Sequence, residues 1–333
     1  MIITRVPFRV SFCGGGSDLP AYYEKEAGCV ISTTIKKYMY ITIHKNFFSD
    51  QIVLKYSKTE KVDDVEKIEH KIFKQCLKDF ELTGVEISSV ADVPSGTGLG
   101  SSSSFTVALL DLLHAYRGEF VSKYDLAKEA CNIEINELKK PIGKQDQYAA
   151  AFGGLNYYEF LPNGEVNVEP IIMKEESYKK LENNLLMFYI GDEHTASKIL
   201  EEQSKNMDSN DKFQAQKKMC SITKELKKEL QNNNVDALGR CLHENWLLKK
   251  TLANGISNPF IDEIYEKAIN AGALGGKLLG AGGAGFMLFY VPSNKQNDVR
   301  KALSDLREME FEMDQMFTAE DCGYGIVPSY QVK

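Results

Sequence analysis

The chain has 333 residues and a formal net charge of −7, with 43% hydrophobic and 26% charged residues. These values indicate a globular protein with a sizeable core and room for two domains. Acidic and basic residues alternate without a basic stripe, and no run approaches the roughly 18 apolar residues of a membrane span. The seven cysteines are scattered. We therefore expect a cytoplasmic protein with reduced thiols that binds neither nucleic acid nor membrane, as a monomer or homodimer.

The predicted elements mix strands and helices along the whole chain. β-Branched and aromatic runs predict strands, and apolar residues at helical spacing predict helices. In chain order they are strands over 2–12, 29–35 and 38–44, a helix over 61–79, a strand over 85–90, a buried helix over 105–116, a helix from Ser122 that ends before Pro141, a strand over 185–190, helices over 196–234 and 260–273, and a strand over 286–291.

The segment 93–104 reads Val-Pro-Ser-Gly-Thr-Gly-Leu-Gly-Ser-Ser-Ser-Ser and precedes the predicted buried helix. Its glycines allow backbone N–H groups to turn toward an anion, and the helix N-terminus adds unpaired donors. We interpret it as a phosphate cradle. A flexible loop with redundant helix caps is the plainer alternative. A Walker loop requires Gly-Lys-Ser/Thr, which is absent here, and the serine run does not suit a dinucleotide fingerprint.

This segment resembles the ATP-binding motif of the GHMP kinases, the family of galactokinase, homoserine kinase, mevalonate kinase and phosphomevalonate kinase. Residues 7–18, Pro-Phe-Arg-Val-Ser-Phe-Cys-Gly-Gly-Gly-Ser-Asp, are similar to the family's N-terminal motif, and residues 277–286 to its C-terminal glycine loop. The resemblance implies an α+β fold of two domains with the active site in the cleft between them. A ribosomal-protein-like, ATP-binding domain is expected over 1–178, and a ferredoxin-like domain over 179–333.

The same resemblance assigns the ATP-binding residues. They are Pro94, Gly96, Gly98, Leu99, Gly100, Ser101, Ser102 and Ser103. ATP is the implied co-substrate, and it is expected to bind together with Mg²⁺.

The segment 141–154 resembles the Gly-x-x-Asp-Gln stretch that carries the family's catalytic aspartate. The resemblance implies that Asp146 accepts the proton of the attacking hydroxyl group. Arg9 matches the position of the family's catalytic cation, where a guanidinium stabilises the transferring phosphoryl group and keeps Asp146 ionised. The alternatives are an Asp146 that caps its helix and an Arg9 on the surface of a strand.

Two residues are candidates to bind Mg²⁺. Ser102 matches the metal-binding serine of the family. Glu134 shares a predicted helical face with Ala127 and Cys131, where an unpaired charge would be costly, so a metal ion is a suitable partner. Glu137 on the same helix is the alternative ligand, and a Glu134 that reaches solvent is the structural alternative.

The first and third motifs contain the residues that are expected to bind the substrate. Asp18 resembles the acidic residue that binds sugar hydroxyl groups in galactokinase-like enzymes, beside Gly15 and Gly16. Gly282 and Gly283 bring backbone to the cleft from the other domain.

The Gly-Gly-Gly-Ser-Asp and Gly-Lys-Gln-Asp-Gln-Tyr segments resemble the branch that acts on heptose phosphates and fucose. The implied acceptor is the anomeric hydroxyl of D-glycero-D-manno-heptose 7-phosphate, whose phosphate requires cations. Lys144 beside Asp146, and Lys277 at the start of the third motif, are favoured over the other candidates Lys36, Lys37, Lys139 and Lys140.

Three alternatives stay open. The segment 191–197 lacks the arginine that commonly precedes Ala-Ser in this branch. Fucose or an N-acetylhexosamine is therefore an alternative acceptor. A non-catalytic sugar sensor is less favoured because the metal and base positions are both present. A dinucleotide-binding dehydrogenase is argued against by the serine-rich loop and the third glycine motif.

Overall fold

A computed structural model describes residues 1–47, 49–191 and 196–314. Its strands are β1 Ile2–Cys13, β2 Gly28–Lys45, β3 Ile52–Lys55, β4 Thr59–Val62, β5 Val85–Ala91, β6 Asn156–Phe160, β7 Val166–Pro170, β8 Leu185–Tyr189, β9 Gly275–Leu278, β10 Phe286–Tyr290 and β11 Arg307–Glu308. Its helices are α1 Pro20–Tyr23, α2 Lys71–Asp79, α3 Ser101–Arg117, α4 Lys123–Cys131, α5 Gln145–Phe152, α6 Glu175–Asn183, α7 Ala196–Asn206, α8 Asn210–Gln231, α9 Ala237–Lys249, α10 Pro259–Asn270 and α11 Gln296–Ala302. The α+β prediction is confirmed.

The long strand β2 organises the first, seven-stranded sheet. Its first half pairs with β6 and its second half with β5, while β1 runs antiparallel along its opposite edge. The two strands predicted at 29–35 and 38–44 are therefore parts of one strand. A bulge opposite Pro7 and Phe8 leaves Lys36 and Lys37 without partner residues in β1, which explains the break in the sequence pattern.

The helix predicted over 61–79 is correct only in its second half. Residues 59–62 form β4, which pairs with β3, and α2 begins at Lys71. The intervening turn is fixed by the Glu60 carboxylate, which accepts hydrogen bonds from the backbone N–H groups of Glu69 and His70. A carboxylate with backbone partners stabilises the turn against continuation of the helix.

Helix α3 is the buried centre of the first half of the chain. Its residues from Ser103 to Leu113 are all buried, and the helix packs against β1, β2 and α5. Glycines in the left-handed region bound it, Gly100 with φ of +76° and Gly118 with φ of +74°. The predicted buried helix is thus confirmed, and its N-terminus is held directly at the end of the glycine-rich loop.

The second sheet has four antiparallel strands in the order β11-β8-β10-β9. In chain order this is 4-1-3-2, the arrangement of a ferredoxin-like domain. Helix α9 packs on β9 and also contacts β1 and α8, so it joins the two sheets. The ferredoxin-like prediction is confirmed.

The boundary predicted at 178/179 falls inside α6, between the two sheets. Beyond β11 the chain returns to the first sheet, where Lys36 N donates to Glu312 O at 2.8 Å and Asp314 N donates to Thr34 O at 2.8 Å. The exact boundary stays a prediction. Among the helices of the described ranges, none is both long and apolar enough to cross a bilayer.

Candidate active site

A cleft of about 370 Å³ is lined by all three glycine-rich segments and by residues from both halves of the chain. Most of the predicted site residues lie on its walls. They are Arg9, Gly15, Gly16, Asp18, Gly96, Gly98, Gly100, Ser101, Ser102, Ser103, Asp146, Lys277 and Gly282. Arg9 and Gly282, which are 273 positions apart in the sequence, therefore line one cleft.

Arg9 and Asp146 form a bidentate ion pair at the centre of the cleft. Arg9 Nε donates to Asp146 Oδ1 at 2.7 Å, and Nη2 donates to Oδ2 at 2.9 Å. Arg9 Nη1 also donates to the carbonyl oxygen of Gly98 at 2.6 Å, so one guanidinium joins β1, the glycine-rich loop and α5. Planar, paired geometry of this kind fixes both groups and keeps the carboxylate at a defined position.

The helix-cap alternative for Asp146 is not supported by its contacts. Both carboxylate oxygens accept from side chains, and the Gln145 Nε2 group donates to Oδ1 at 2.9 Å in addition to Arg9. Ser11 Oγ in turn donates to Gln145 Oε1 at 3.1 Å. Sequence reasoning missed Gln145, although its place beside Asp146 in the Gln-Asp-Gln segment was visible.

Asp18 is buried and is held by backbone groups. Gly16 N donates to its Oδ1 at 3.0 Å, and Gln145 N donates to its Oδ2 at 3.1 Å. Burial raises the pKa of Asp18, and the negative charge of Asp146 raises it further, whereas these backbone donors oppose the shift. At Gly143 a Cβ atom would lie 1.9 Å from Asp18 Oδ2, so only glycine fits there.

The second and third glycine motifs pack against each other, backbone to backbone. A Cβ atom on Gly98 would lie 2.6 Å from Leu279 O, and one on Gly280 would lie 2.7 Å from the Cα atom of Gly98. A Cβ atom on Gly285 would lie 2.5 Å from Thr97 O. Several of these glycines therefore serve the contact between the two halves, whereas a Cβ atom on Gly96 would meet no atom within 4 Å.

The predicted metal ligands converge at the N-terminus of α3. The Glu134 carboxylate is fully buried and accepts from Ser102 Oγ at 2.7 Å and from Ser103 Oγ at 2.7 Å. It also accepts from Gln147 Nε2 at 2.8 Å. Glu137 is exposed, which distinguishes it from the buried Glu134.

A π-helical turn over Asn132–Glu137 follows α4 and sets the direction of Glu134. The N–H group of Leu138 donates to the carbonyl of Ile133, five residues earlier, instead of four. Such a turn is wider than an α-helical turn and is common at functional sites. The regular helical spacing used in the sequence analysis therefore selected Glu134 although the turn that carries it is irregular.

The Lys140 ammonium occupies a cation position between the two predicted ligands. Its Nζ atom donates to Ser102 Oγ at 2.7 Å and to Glu134 Oε1 at 2.8 Å. A hydroxyl and a carboxylate oxygen that share one cation form a donor set suited to Mg²⁺, provided that ATP phosphates and water complete it. The residues present thus fit the predicted ion, and Lys140 has to move when the ion binds.

Two lysines of the second half reach the cleft, and one of them was missed from the sequence. Lys277, which the sequence analysis favoured, lies on β9, and Lys249 is the last residue of α9. Burial is the main cause that lowers the pKa of Lys249, to about 8, with the Arg9 charge as the next cause. Burial, followed by the Lys249 charge, lowers the pKa of Lys277 well below its usual value.

Lys144 does not line the cleft, so its predicted role as a phosphate-binding residue needs correction. Its ammonium donates to Gly164 O at 2.6 Å and lies 4.6 Å from the centroid of the Tyr23 ring. Residues two positions apart at the start of a helix point in different directions, which turns Lys144 away from Asp146.

Three further predicted residues support the cleft from outside its walls. Leu99 is buried, and its carbonyl accepts from Arg9 N at 3.1 Å. The Pro94 carbonyl accepts from Thr97 Oγ1 at 3.0 Å. Gly283 N donates to Ile256 O at 3.3 Å. Their direct binding of ATP or sugar stays a prediction. The segment that lacks the branch's arginine includes residues 192–195, which lie outside the described residues.

Comparisons with known proteins agree with this geometry. The family model described as the N-terminal domain of GHMP kinases matches residues 66–154, and the C-terminal model of the same kinases matches residues 226–310. The chain is 31% identical, over 96% of its length, to the D-glycero-alpha-D-manno-heptose 7-phosphate kinase of Campylobacter jejuni, of which it covers 97%.

Two other relatives show the breadth of the similarity. The chain is 26% identical to the bifunctional fucokinase/GDP-fucose pyrophosphorylase of Arabidopsis thaliana, and the match covers 92% of this chain but only 31% of that protein. The crystal structure of a D-glycero-D-manno-heptose 1-phosphate kinase from Bacteroides thetaiotaomicron matches with a TM-score of 0.77 at 27% identity, covering 94% of this chain and 96% of that chain. The chain therefore belongs to the GHMP kinase family and is a phosphotransferase of the sugar-kinase type.

Proposed function

We propose that this protein uses Mg-ATP to phosphorylate the anomeric hydroxyl of D-glycero-D-manno-heptose 7-phosphate, giving the 1,7-bisphosphate for the synthesis of nucleotide-activated heptose. The observation that carries the proposal is the Arg9–Asp146 pair, which lies between the glycine-serine loop on one side and Asp18 on the other. This arrangement places a proton acceptor between a phosphate cradle and a polyol-binding carboxylate. We place the reaction in the cytoplasm, where ATP is available.

The glycine-serine loop is proposed to hold the donor. The N–H groups at the start of α3 and the cleft-facing Gly96 and Gly100 face the phosphates, where the helix dipole favours negative charge. Ser102 and Glu134 are proposed to hold Mg²⁺, which neutralises charge on the phosphates when it is bound. Lys140, displaced from these oxygens, stays close enough to meet the same phosphates.

The acceptor hydroxyl is proposed to lie against Asp146. Phosphoryl transfer needs little covalent help, so the protein contributes position and charge. Asp146 orients the hydroxyl group and accepts its proton as the new O–P bond forms. Arg9 holds Asp146 in place and offers its remaining donor capacity to the transferring group, while Asp18 accepts hydrogen bonds from the sugar hydroxyl groups.

A neutral sugar is the second candidate acceptor, on the strength of the fucokinase relative. The two buried lysines in the cleft favour an anionic acceptor, because a neutral sugar would leave their charges uncompensated. An N-acetylhexosamine acceptor is a weaker alternative because it is also neutral. A non-catalytic sugar sensor is a weaker alternative because the Arg9–Asp146 pair is intact.

The test is ADP release from Mg-ATP with a panel of heptose 7-phosphate, mannose 6-phosphate, fucose, N-acetylglucosamine and galactose, followed by phosphorus NMR of the product. We expect turnover with the heptose phosphate and a new anomeric phosphate signal. Preference for fucose or another neutral sugar would retain the kinase and reject the proposed acceptor. ATP binding without turnover of any sugar would support the sensor.

A further inference from the structure

Lys249 and Lys277 form a pair of buried cations in the cleft. They are 4% and 2% exposed, and both line its wall. Lys249 Nζ donates to the carbonyl oxygen of Gly280 at 2.5 Å. In the described ranges neither lysine forms an ion pair with a carboxylate, and the Lys277 ammonium donates no hydrogen bond. The pair thus presents two cations with unused hydrogen-bond donors to the cleft.

An arrangement of this kind is unfavourable without an anion. Taking an ammonium group out of water costs several kcal/mol, and the cost increases when a second cation lies near it. Burial is the main cause that lowers the pKa of both lysines; the Arg9 charge adds to the shift of Lys249, and the Lys249 charge adds to that of Lys277, in agreement with this cost. A dianionic group between them would compensate both charges and accept from the unused donors. The pair therefore indicates a specific anion, not a structural ion pair.

The pair is distinct from the cation at the predicted metal ligands. The charged groups that act on the pKa of both lysines include Arg9 and Asp18. The donor side has its own cation, Lys140, which contacts the predicted metal ligands Ser102 and Glu134. The cleft thus has one cation at the predicted metal ligands and two cations near Arg9 and Asp18.

We propose that Lys249 and Lys277 bind the phosphate group that the sugar acceptor already carries. This inference rests on the proposed function and identifies the residues that recognise the acceptor's phosphate. Both residues come from the ferredoxin-like half, which supplies the phosphate-binding side, while Asp18 and Asp146 from the first half hold the sugar. Lys144, which the sequence favoured for this role, faces Gly164 and Tyr23 instead.

The experiment compares D-glycero-D-manno-heptose 7-phosphate with the unphosphorylated heptose as acceptors. Lys249→Met and Lys277→Met remove one charge each and retain most of the side-chain volume. Lys250→Met is the matched control, because this neighbour pairs with Asp262 at 2.9 Å and does not line the cleft. Steady-state kinetics give kcat/KM for each acceptor and KM for ATP.

We expect wild type and Lys250→Met to prefer the phosphorylated sugar. Each cleft variant should reduce this preference roughly 10- to 100-fold, mainly through KM of the phosphorylated acceptor, because a hydrogen bond to a charged group is lost. KM for ATP should change less than about twofold. The assignment of the two lysines would be overturned if both variants kept the preference. It would also be overturned if KM increased for ATP and not for the phosphorylated acceptor.

The two proposals can fail separately. If wild type does not prefer the phosphorylated sugar, the proposed acceptor and the inference are both rejected. If wild type has the preference and the variants keep it, only the inference is rejected. If a variant does not fold, the test is the pH dependence of the preference that wild type shows for the phosphorylated sugar. The preference should decrease as pH rises through about 8, where Lys249 loses its proton, and a flat profile would contradict the assignment.

Discussion

The substitution Asp146→Asn tests the centre of the site with little change in shape. The amide oxygen can still accept one hydrogen bond from Arg9, but the amide NH₂ group would face the other Arg9 donor. One of the two bonds, at 2.7 and 2.9 Å, is therefore lost, and the guanidinium loses its counter-charge. The arginine side chain is 5% exposed and the aspartate side chain 28%, so water can replace the lost hydrogen bond only at residue 146 and not at the guanidinium.

The two consequences have different magnitudes. Loss of one hydrogen bond between charged groups costs about 1.5–3 kcal/mol, and partial exposure of Asp146 places the expected loss of stability near the lower end. Loss of the proton acceptor reduces kcat roughly 10²- to 10⁴-fold. The variant should therefore stay folded and bind Mg-ATP while losing nearly all turnover.

The assay is coupled ADP release with the panel acceptor that wild type prefers, together with thermal unfolding and titration with Mg-ATP. Asp208→Asn is the matched control, because this aspartate is 85% exposed and forms an ion pair with Lys25 on the surface. A kcat for Asp146→Asn within about tenfold of wild type would refute the assignment of Asp146 as the proton acceptor.

Three further predictions concern the metal, the pH profile and the seam between the glycine loops. Glu134→Gln should raise the Mg²⁺ concentration needed for half-maximal rate, whereas Glu137→Gln, on the exposed side, should not; equal titrations would remove Glu134 as a ligand. Because burial lowers the pKa of Lys249 to about 8, kcat/KM for the acceptor should fall as pH rises through that value, and Lys249→Met should lack this inflection. Gly98→Ala should lower the melting temperature more than Gly96→Ala: both have positive φ, with a strain of about 1–3 kcal/mol, but only at Gly98 does the added Cβ meet a carbonyl oxygen, 2.6 Å away. Equal melting temperatures would show that the seam tolerates a methyl group.

The parts of the site that the sequence predicts correctly are those that local chemistry dictates. Glycines at 96, 98 and 100 all adopt positive φ, and the following serines begin a buried helix, as the motif indicates. The contact between Arg9 and Asp146 spans 137 positions. It was expected only because two motifs resembled those of one family, since no periodicity relates residues so far apart.

The lysines show where sequence reasoning fails. Lys249 and Lys250 are neighbours in an identical local composition, yet one is buried in the cleft and the other forms a surface ion pair with Asp262. Adjacent helical residues point about 100° apart, so packing of α9 on the second sheet decides which lysine is buried. The prediction that Lys144 binds the substrate phosphate was wrong for the same reason. Lys144 is close to Asp146 in the sequence, but its side chain points toward Gly164 and Tyr23.

The backbone-to-backbone seam between the glycine loops has a consequence for how such kinases diversify. At Gly98 and Gly280 the two halves touch through main-chain atoms, so this contact does not depend on which side chains surround it. Substitutions around Lys249 and Lys277 can therefore change that side of the cleft while this main-chain contact is kept. Acceptor choice can thus evolve on one side of the cleft without rebuilding the nucleotide side.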